Sequence, residues 1–382
     1  MPLSITSLKI LDPCRFATPA FIAVVLSFFM IILVLYPLTG AAQTSAVFSV
    51  ANVEVDETAE SAAAARDIAL QKGQSLAFQR LVERIVPIAD QAKMPEVQIA
   101  QLLQLISGIE VGAEKTSSVR YLAQMTVRFN VSEVRNFLRN AGIRFAETLS
   151  KPLIVLPVYR SQATTQLWDT GNLWLKAWRE LPPSDGLINL IVPKGETADI
   201  ADIGPEQAVA GNQDQIQSIA SRYGAEGTLL TIAEVTQAQG EKIVEVSTSS
   251  LGPGGADRTS VQSFASNEAT SLQDILASAA INLRKEIEET WKLDNLLHFD
   301  DHREMLAEAE LRGLPDLIAL QKKLEAVSLV QKTELVRLSL KSALIRLRYL
   351  GDPMQLRLAL AQRDMALTRG SVYWKLRSVA NR

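Results

Sequence analysis

Four consecutive apolar residues, Leu153, Ile154, Val155 and Leu156, lie within the stretch Lys-Pro-Leu-Ile-Val-Leu-Pro-Val-Tyr from Lys151 to Tyr159. A strand with one face in water alternates apolar and polar side chains. A run without alternation, this short and this β-branched, needs cover on both faces. The stretch therefore predicts the central strand of a layered α/β domain. At 382 residues the chain is longer than one hydrophobic core usually holds, so that domain is expected to have neighbours.

The amino terminus is organised differently. Phe21 to Leu35 carries no charge, follows Lys9 and Arg15, and precedes Pro37, Gly40, Ala41 and Ala42. A basic flank, an apolar core and small residues in that order predict an export signal over residues 1–43. The apolar run approaches the length of a spanning helix, so cleavage after Ala42 and retention as a membrane anchor are both open. In either case Glu54, Asp56 and Glu57 follow on the far side, which places the rest of the chain outside the cytoplasm: periplasmic, or tethered to the inner membrane. The single cysteine, Cys14, precedes the apolar run, which removes disulfides, thiolate metal sites and cysteine nucleophiles from the exported part.

Periodicity divides the remainder into three domains. Residues 44–148 read as α+β: a long Ala-rich helix from Ala62 to Ile85, a second helix from Glu96 to Ile106 opened by Pro95, and a hairpin of Ile109 to Glu114 with Tyr121 to Phe129. In the second of those strands Tyr121, Ala123, Met125, Val127 and Phe129 alternate with mostly polar residues, as one buried face requires. Residues 149–302 read as the α/β domain with a mixed sheet. It contains a helix from Leu167 to Leu181, a buried strand from Leu187 to Val192, an acidic excursion from Glu196 to Asn212, and three antiparallel strands between Thr228 and Phe264. A helix from Ser271 to Trp291 closes it. Residues 303–382 hold a helix, two paired strands, a helix and a strand, an order that wants one more strand in front. A ferredoxin-like βαββαβ domain supplies that place at Glu304 to Leu311, against its helical composition.

The exported leader, the Ala-rich helix ending in Leu81-Val82, Lys151 to Tyr159, the pair Trp174 and Trp178, Arg222-Tyr223-Gly224-Ala225 and Tyr349-Leu350-Gly351-Asp352 together resemble one bacterial family, domain-of-unknown-function family two thousand and sixty-six. The middle domain is also similar to the amino-terminal domain of the translocation protein TolB and to the curli secretion lipoproteins, in which a buried strand, a helix and a Tyr-Gly-Ala turn recur. Those resemblances imply a cell-envelope assembly or scaffold role and no catalytic residues.

No reaction is legible. His298 and His302 stand four apart with Asp300 and Asp301 between them, a spacing that on a helix would suit a metal pair and the rival reading of a periplasmic hydrolase or metal-dependent enzyme. An exposed interdomain linker with incidental histidines is the favoured account, because a catalytic metal needs a third ligand and an ordered second shell. Gly252 to Gly255 lacks the Lys-Ser/Thr of a phosphate loop and reads as a hairpin turn. Glu286, Glu288 and Glu289 share a helix with Arg284 and Lys285, as a solvated face does. No cofactor and no nucleic-acid partner is expected.

Partner-binding candidates come from two places. Trp168, Trp174 and Trp178 fall within eleven residues and are either core or an interface ridge. Residues 303–382 carry 15 Lys and Arg against 8 Asp and Glu, with Arg346 and Arg348 at alternate strand positions pointing away from the core. That charge would suit an anionic membrane surface, this protein's own acidic middle domain, or solvent alone. The chain as a whole reads as a non-enzymatic interaction or assembly module of the envelope. A reporter that works only outside the cytoplasm, fused after Asp56, is expected to be active; activity of a cytoplasm-only reporter at the same point would overturn the export reading.

Overall fold

The computed structural model describes residues 46–161, 164–238, 241–251, 259–265, 271–297 and 302–378. The leader and His298 lie outside the described residues.

The first lobe is a three-stranded antiparallel sheet in the order β1-β3-β2, formed by β1 (Ser49–Thr58), β2 (Ile106–Thr116) and β3 (Arg120–Phe129). Its inner face buries Val53, Val55, Tyr121, Met125 and Val127 against α1 (Ala62–Ile85), whose first turn is capped by Ser61 Oγ accepting from the Ala64 amide. Gly73 permits the close approach of helix and sheet: a Cβ there would stand 2.6 Å from Met125 Sδ and 2.9 Å from Val55 Cγ1. After the short α2 (Ile88–Gln91), the expected helix of Glu96 to Ile106 is shorter, α3 (Ile99–Leu105), because the chain stays irregular through Gln98, which supplies no side-chain cap. The strand expected at Ile109 to Glu114 begins earlier and ends later, as β2. Asn130 then caps α4 (Val131–Asn140) by accepting from the Ser132 and Glu133 amides.

The middle lobe is built on β4 (Leu153–Arg160), as the sequence predicts. It runs parallel to β7 (Gly227–Ala238), which continues antiparallel into β8 (Glu241–Leu251) and β9 (Thr259–Ala265). Two-residue strands β5 (Thr165–Gln166) and β6 (Leu190–Ile191) pair with the two ends of β4. Ile154, Leu156 and Val158 pack with α7 (Pro205–Val209) and α8 (Gln213–Arg222); Val155 packs with α5 (Leu173–Arg179) and α9 (Leu272–Asp294). Cover on both faces is thus why the run does not alternate. Only Leu190 and Ile191 of the expected strand Leu187 to Val192 pair, and the acidic excursion holds two short helices, α6 (Thr197–Asp202) and α7.

The expected helix from Leu167 is also shorter. Asn172 is buried, its Nδ2 donating to the carbonyls of Pro157 (2.9 Å) and Leu167 (2.9 Å) while its Oδ1 accepts from the Leu175 amide at 2.8 Å. One side chain thereby pins the approach segment to β4 and caps the helix that follows.

The third lobe contains β10 (His302–Glu310), α10 (Leu314–Glu325), β11 (Val330–Leu338), β12 (Ser342–Leu350), α11 (Pro353–Ala361), β13 (Met365–Arg369) and β14 (Trp374–Ser378). The strand inferred at Glu304 to Leu311 is present as β10, paired antiparallel with β12 over nine residues. The last strand departs from the ferredoxin-like plan. β14 inserts between β10, to which it is parallel, and β13, to which it is antiparallel, giving the order β11-β12-β10-β14-β13. Residues Gly40–Arg382 form one compact unit, and a continuous apolar cluster joins the first and third lobes from Val47 to Leu376.

Replacing Val155 by Asp would place a carboxylate in a fully buried position with no partner. The expected cost is several kcal/mol, about the whole stability of an ordinary domain. Rapid proteolysis of the variant under conditions where the parent resists checks it; equal resistance would show that β4 is not central.

Candidate functional site

A concavity lies between the middle and third lobes. The first half of α9 seals its sheet: Ile275, Leu276, Ala279, Ala280 and Leu283 are all buried against the face that carries Val155, Leu229, Val244 and Val246. Beyond Ile287 the helix leaves the sheet for the first lobe, where Trp291 Nε1 donates to the Thr148 carbonyl at 2.7 Å and Lys292 Nζ to the carbonyls of Glu83 (3.2 Å) and Val86 (3.1 Å). The end of the sheet that α9 abandons is faced by α11 and β13. A cleft of about 1060 Å³ remains between them, large for a small-molecule site.

Its walls are mostly apolar: Leu229, Leu283, Ile287 and Trp291 on one side, Met354, Leu358, Met365 and Leu367 on the other. Hydroxyls of Thr248, Ser250 and Ser260 line the sheet side. The register aligns Thr248 with Thr231 on one neighbouring strand and Ser260 on the other. The Thr231 hydroxyl accepts from Trp174 Nε1 at 3.0 Å, whereas Thr248 Oγ1 is buried, in a residue 6% exposed, and has no hydrogen-bond partner. A buried hydroxyl without a partner costs free energy that a ligand or water would recover.

At one edge of the cleft Lys151 clamps the two lobes, its Nζ 3.0 Å from Glu226 and 2.9 Å from Asp364 and its amide donating to Gln362 Oε1 at 2.7 Å. Burial pulls the Lys151 ammonium down, but the hydrogen bonds and charges of Asp364 and Glu226 outweigh it and hold the group above the ordinary lysine range. This is a structural cation. Arg357, exposed on α11, stands at the cleft with no ion-pair partner among the described residues.

The residues singled out in the sequence fall elsewhere. Trp174 and Trp178 are 0% and 3% exposed and meet edge to face, ring centroids 5.8 Å apart, in the core between β4 and α9. They form no exposed ridge, because helix α5 turns its aromatic stripe inward to seal the sheet. Trp168 precedes that helix and packs on the opposite face of the sheet, its Nε1 donating to the Ile203 carbonyl at 2.7 Å. Arg346 and Arg348 do point away from the core, yet both are engaged within their own sheet. Arg348 Nε lies 2.6 Å from Glu304, and Arg346 Nη1 lies 3.2 Å from Glu334. His302 opens strand β10 instead of sharing a helix face with its neighbour; it is exposed, with Nδ1 3.1 Å from Gln331 Oε1. No group of metal-ligating side chains occurs among the described residues. Gly252 to Gly255 lie outside them.

No family model matches the chain, and no curated protein matches it. The resemblance to family two thousand and sixty-six therefore rests on the residues alone. Among solved structures, a PelC dodecamer from Paraburkholderia phytofirmans is 13% identical, covers 37% of this chain and 94% of its own, and gives a TM-score of 0.24. Lipoprotein GNA1162 from Neisseria meningitidis is 14% identical, with coverages of 36% and 97% and a TM-score of 0.24.

Because Trp174 fills core volume, Trp174→Ala is expected to cost about 3 to 5 kcal/mol, read from the shift of the urea midpoint. A variant of unchanged stability would show that the indole is not a packing element.

Proposed function

We propose that this chain is an exported, non-enzymatic binding module of the bacterial cell envelope, and that its partner or ligand seats in the cleft between the middle and third lobes. The observation that supports this most directly is the composition of the cleft: apolar walls, a row of hydroxyls along one side, and at its base a buried Thr248 hydroxyl with no partner. Recognition sites have this makeup, with apolar surface supplying affinity and a few polar groups fixing orientation. Two of the charged residues that line the cleft, Lys151 and Glu226, are committed with Asp364 to a clamp between lobes, while Glu286, Asp294 and Arg357 line it as well. Export is supported by the order of charge and hydropathy before Gln43. Among the described residues no helix is long and apolar enough to cross a membrane.

A photo-crosslinking residue in place of Met354, which is exposed at the cleft, is expected to give a discrete adduct in the native host. Filling the cleft with Ser260→Trp should abolish that adduct while leaving the protein folded. The same crosslinker at Gln217, exposed on α8 outside the cleft, should not give it. No adduct at Met354, or an equal one at Gln217, would overturn the proposal.

A further inference from the structure

Away from the cleft, at the far edge of the third sheet, large apolar side chains gather in the open. The turn between β11 and β12 carries Leu340, 96% exposed, and the strand entering it carries Leu338, 51% exposed. The Leu311 amide donates to the Lys341 carbonyl at 2.8 Å, which brings the β10–α10 loop against this turn. That loop leads directly into Leu314, 62% exposed, at the start of α10, and Ile318 follows one turn later, also exposed. Leu335 and Leu338 pair with Ile345 and Ala343, buried residues of the helix-covered face. The exposed leucines therefore continue the seam between α10 and the edge strand and do not belong to the charged outer face.

Basic residues border this seam. Arg312, Arg337 and Lys341 are all exposed and have no ion-pair partner among the described residues. Of the nearby carboxylates, Asp316 accepts from the Arg312 amide at 2.9 Å and Glu310 is paired with Arg377 at 3.2 Å. Basic charge is thus left without ion pairs along this seam, whereas at Arg346 and Arg348 it is neutralised within the sheet.

We propose that this tip is a membrane-docking surface: Leu314, Leu338 and Leu340 enter the headgroup–acyl boundary of an anionic bilayer while Arg312, Arg337 and Lys341 contact lipid phosphates. Apolar side chains at the apex with cations set around them are what interfacial binding requires, since the two contributions act at different depths. A bilayer fits better than a protein groove because Leu340 tops the turn at the sheet edge, Leu338 and Leu314 stand at the ends of the elements beside it, and the cations flank them. The site is distinct from the cleft, and its test does not depend on the reading of the cleft.

Residues 40–382, the compact unit without the apolar leader, should co-sediment at low ionic strength with vesicles of phosphatidylcholine plus phosphatidylglycerol. Binding should be much weaker with phosphatidylcholine alone and should fall as salt is raised. Leu338→Ser with Leu340→Ser should lower the bound fraction by about tenfold or more. Arg312→Ala, Arg337→Ala and Lys341→Ala together should remove the preference for the anionic lipid. Leu340→Ser alone serves if the double variant does not fold, since that side chain is almost fully exposed. Failure of the folded parent to bind either vesicle would overturn the proposal and assign the seam to a protein partner. Undiminished binding by the folded leucine variants would overturn it as well.

Discussion

The ammonium of Lys292 sits at the carboxyl end of α1, buried, within hydrogen-bond reach of the Glu83 and Val86 carbonyls and 2.8 Å from Glu289. A helix ends with carbonyls that have no intrahelical donors and carry the negative end of its dipole, so a cation there satisfies both deficits. Burying that cation is costly unless it is paired and hydrogen-bonded, and here both conditions hold. The contact ties the helix that closes the middle sheet to the helix that covers the first. Glu289 reinforces it, its Oε1 accepting from the Ile88 amide at 2.9 Å just past the same helix end. In the same last turn Arg84 does related work, donating to the Val47 and Ser49 carbonyls; burial lowers it from the ordinary arginine range against the opposing pull of Asp185. With its amino half on the middle sheet and its carboxyl half on the first lobe, α9 cannot also cover the end of the sheet at Thr248. The cleft is the geometric remainder of that division.

Electrostatics in the third lobe follows from strand order. On the outer face of β12, Arg346 and Arg348 lie between Glu304 of β10 and Glu334 of β11, with Lys332 2.8 Å from Glu334. Glu334 is held below the ordinary carboxylate range first by its hydrogen bond from Lys332 and further by the two guanidinium groups. Exposed pairs of this kind add little stability, but they fix which charges are already satisfied. A count of basic residues along the chain cannot make that distinction, because the compensating carboxylates come from strands on either side.

The sequence exposes features whose cause is local or periodic. Leu153 to Leu156 revealed a strand covered on both faces, and the alternation from Tyr121 to Phe129 revealed a sheet covered on one. β10 was legible only through topology: Glu304 to Leu311 has helical composition, and pairing with β12 and β14 overrides it. The shortening of α5 was not legible, since it depends on Asn172 reaching the carbonyl of Pro157, fifteen residues earlier. Nor was β14, which inserts between two strands already accounted for. The tryptophans drew attention by spacing alone, and spacing gives a stripe without saying what it faces. The cleft left no local trace at all: Thr248 and Ser260 read as ordinary strand positions, and Met354 and Leu358 as one side of a short helix.

The order β11-β12-β10-β14-β13 gives the third lobe two edges with separate tasks. β13, with α11, lines the cleft; β11, with α10, carries the exposed leucines. With neighbouring strands about 4.8 Å apart, these edges stand roughly 19 Å from each other. β14, the strand added to the ferredoxin-like plan, contributes one of those spacings and moves β13 outward. A bilayer engaged at β11 would therefore leave the cleft at β13 unobstructed. The clamp of Lys151 on Asp364 would keep the same lobe fixed to the middle sheet. In this arrangement the inserted strand separates a surface that would set position at the membrane from the cleft that would hold the partner.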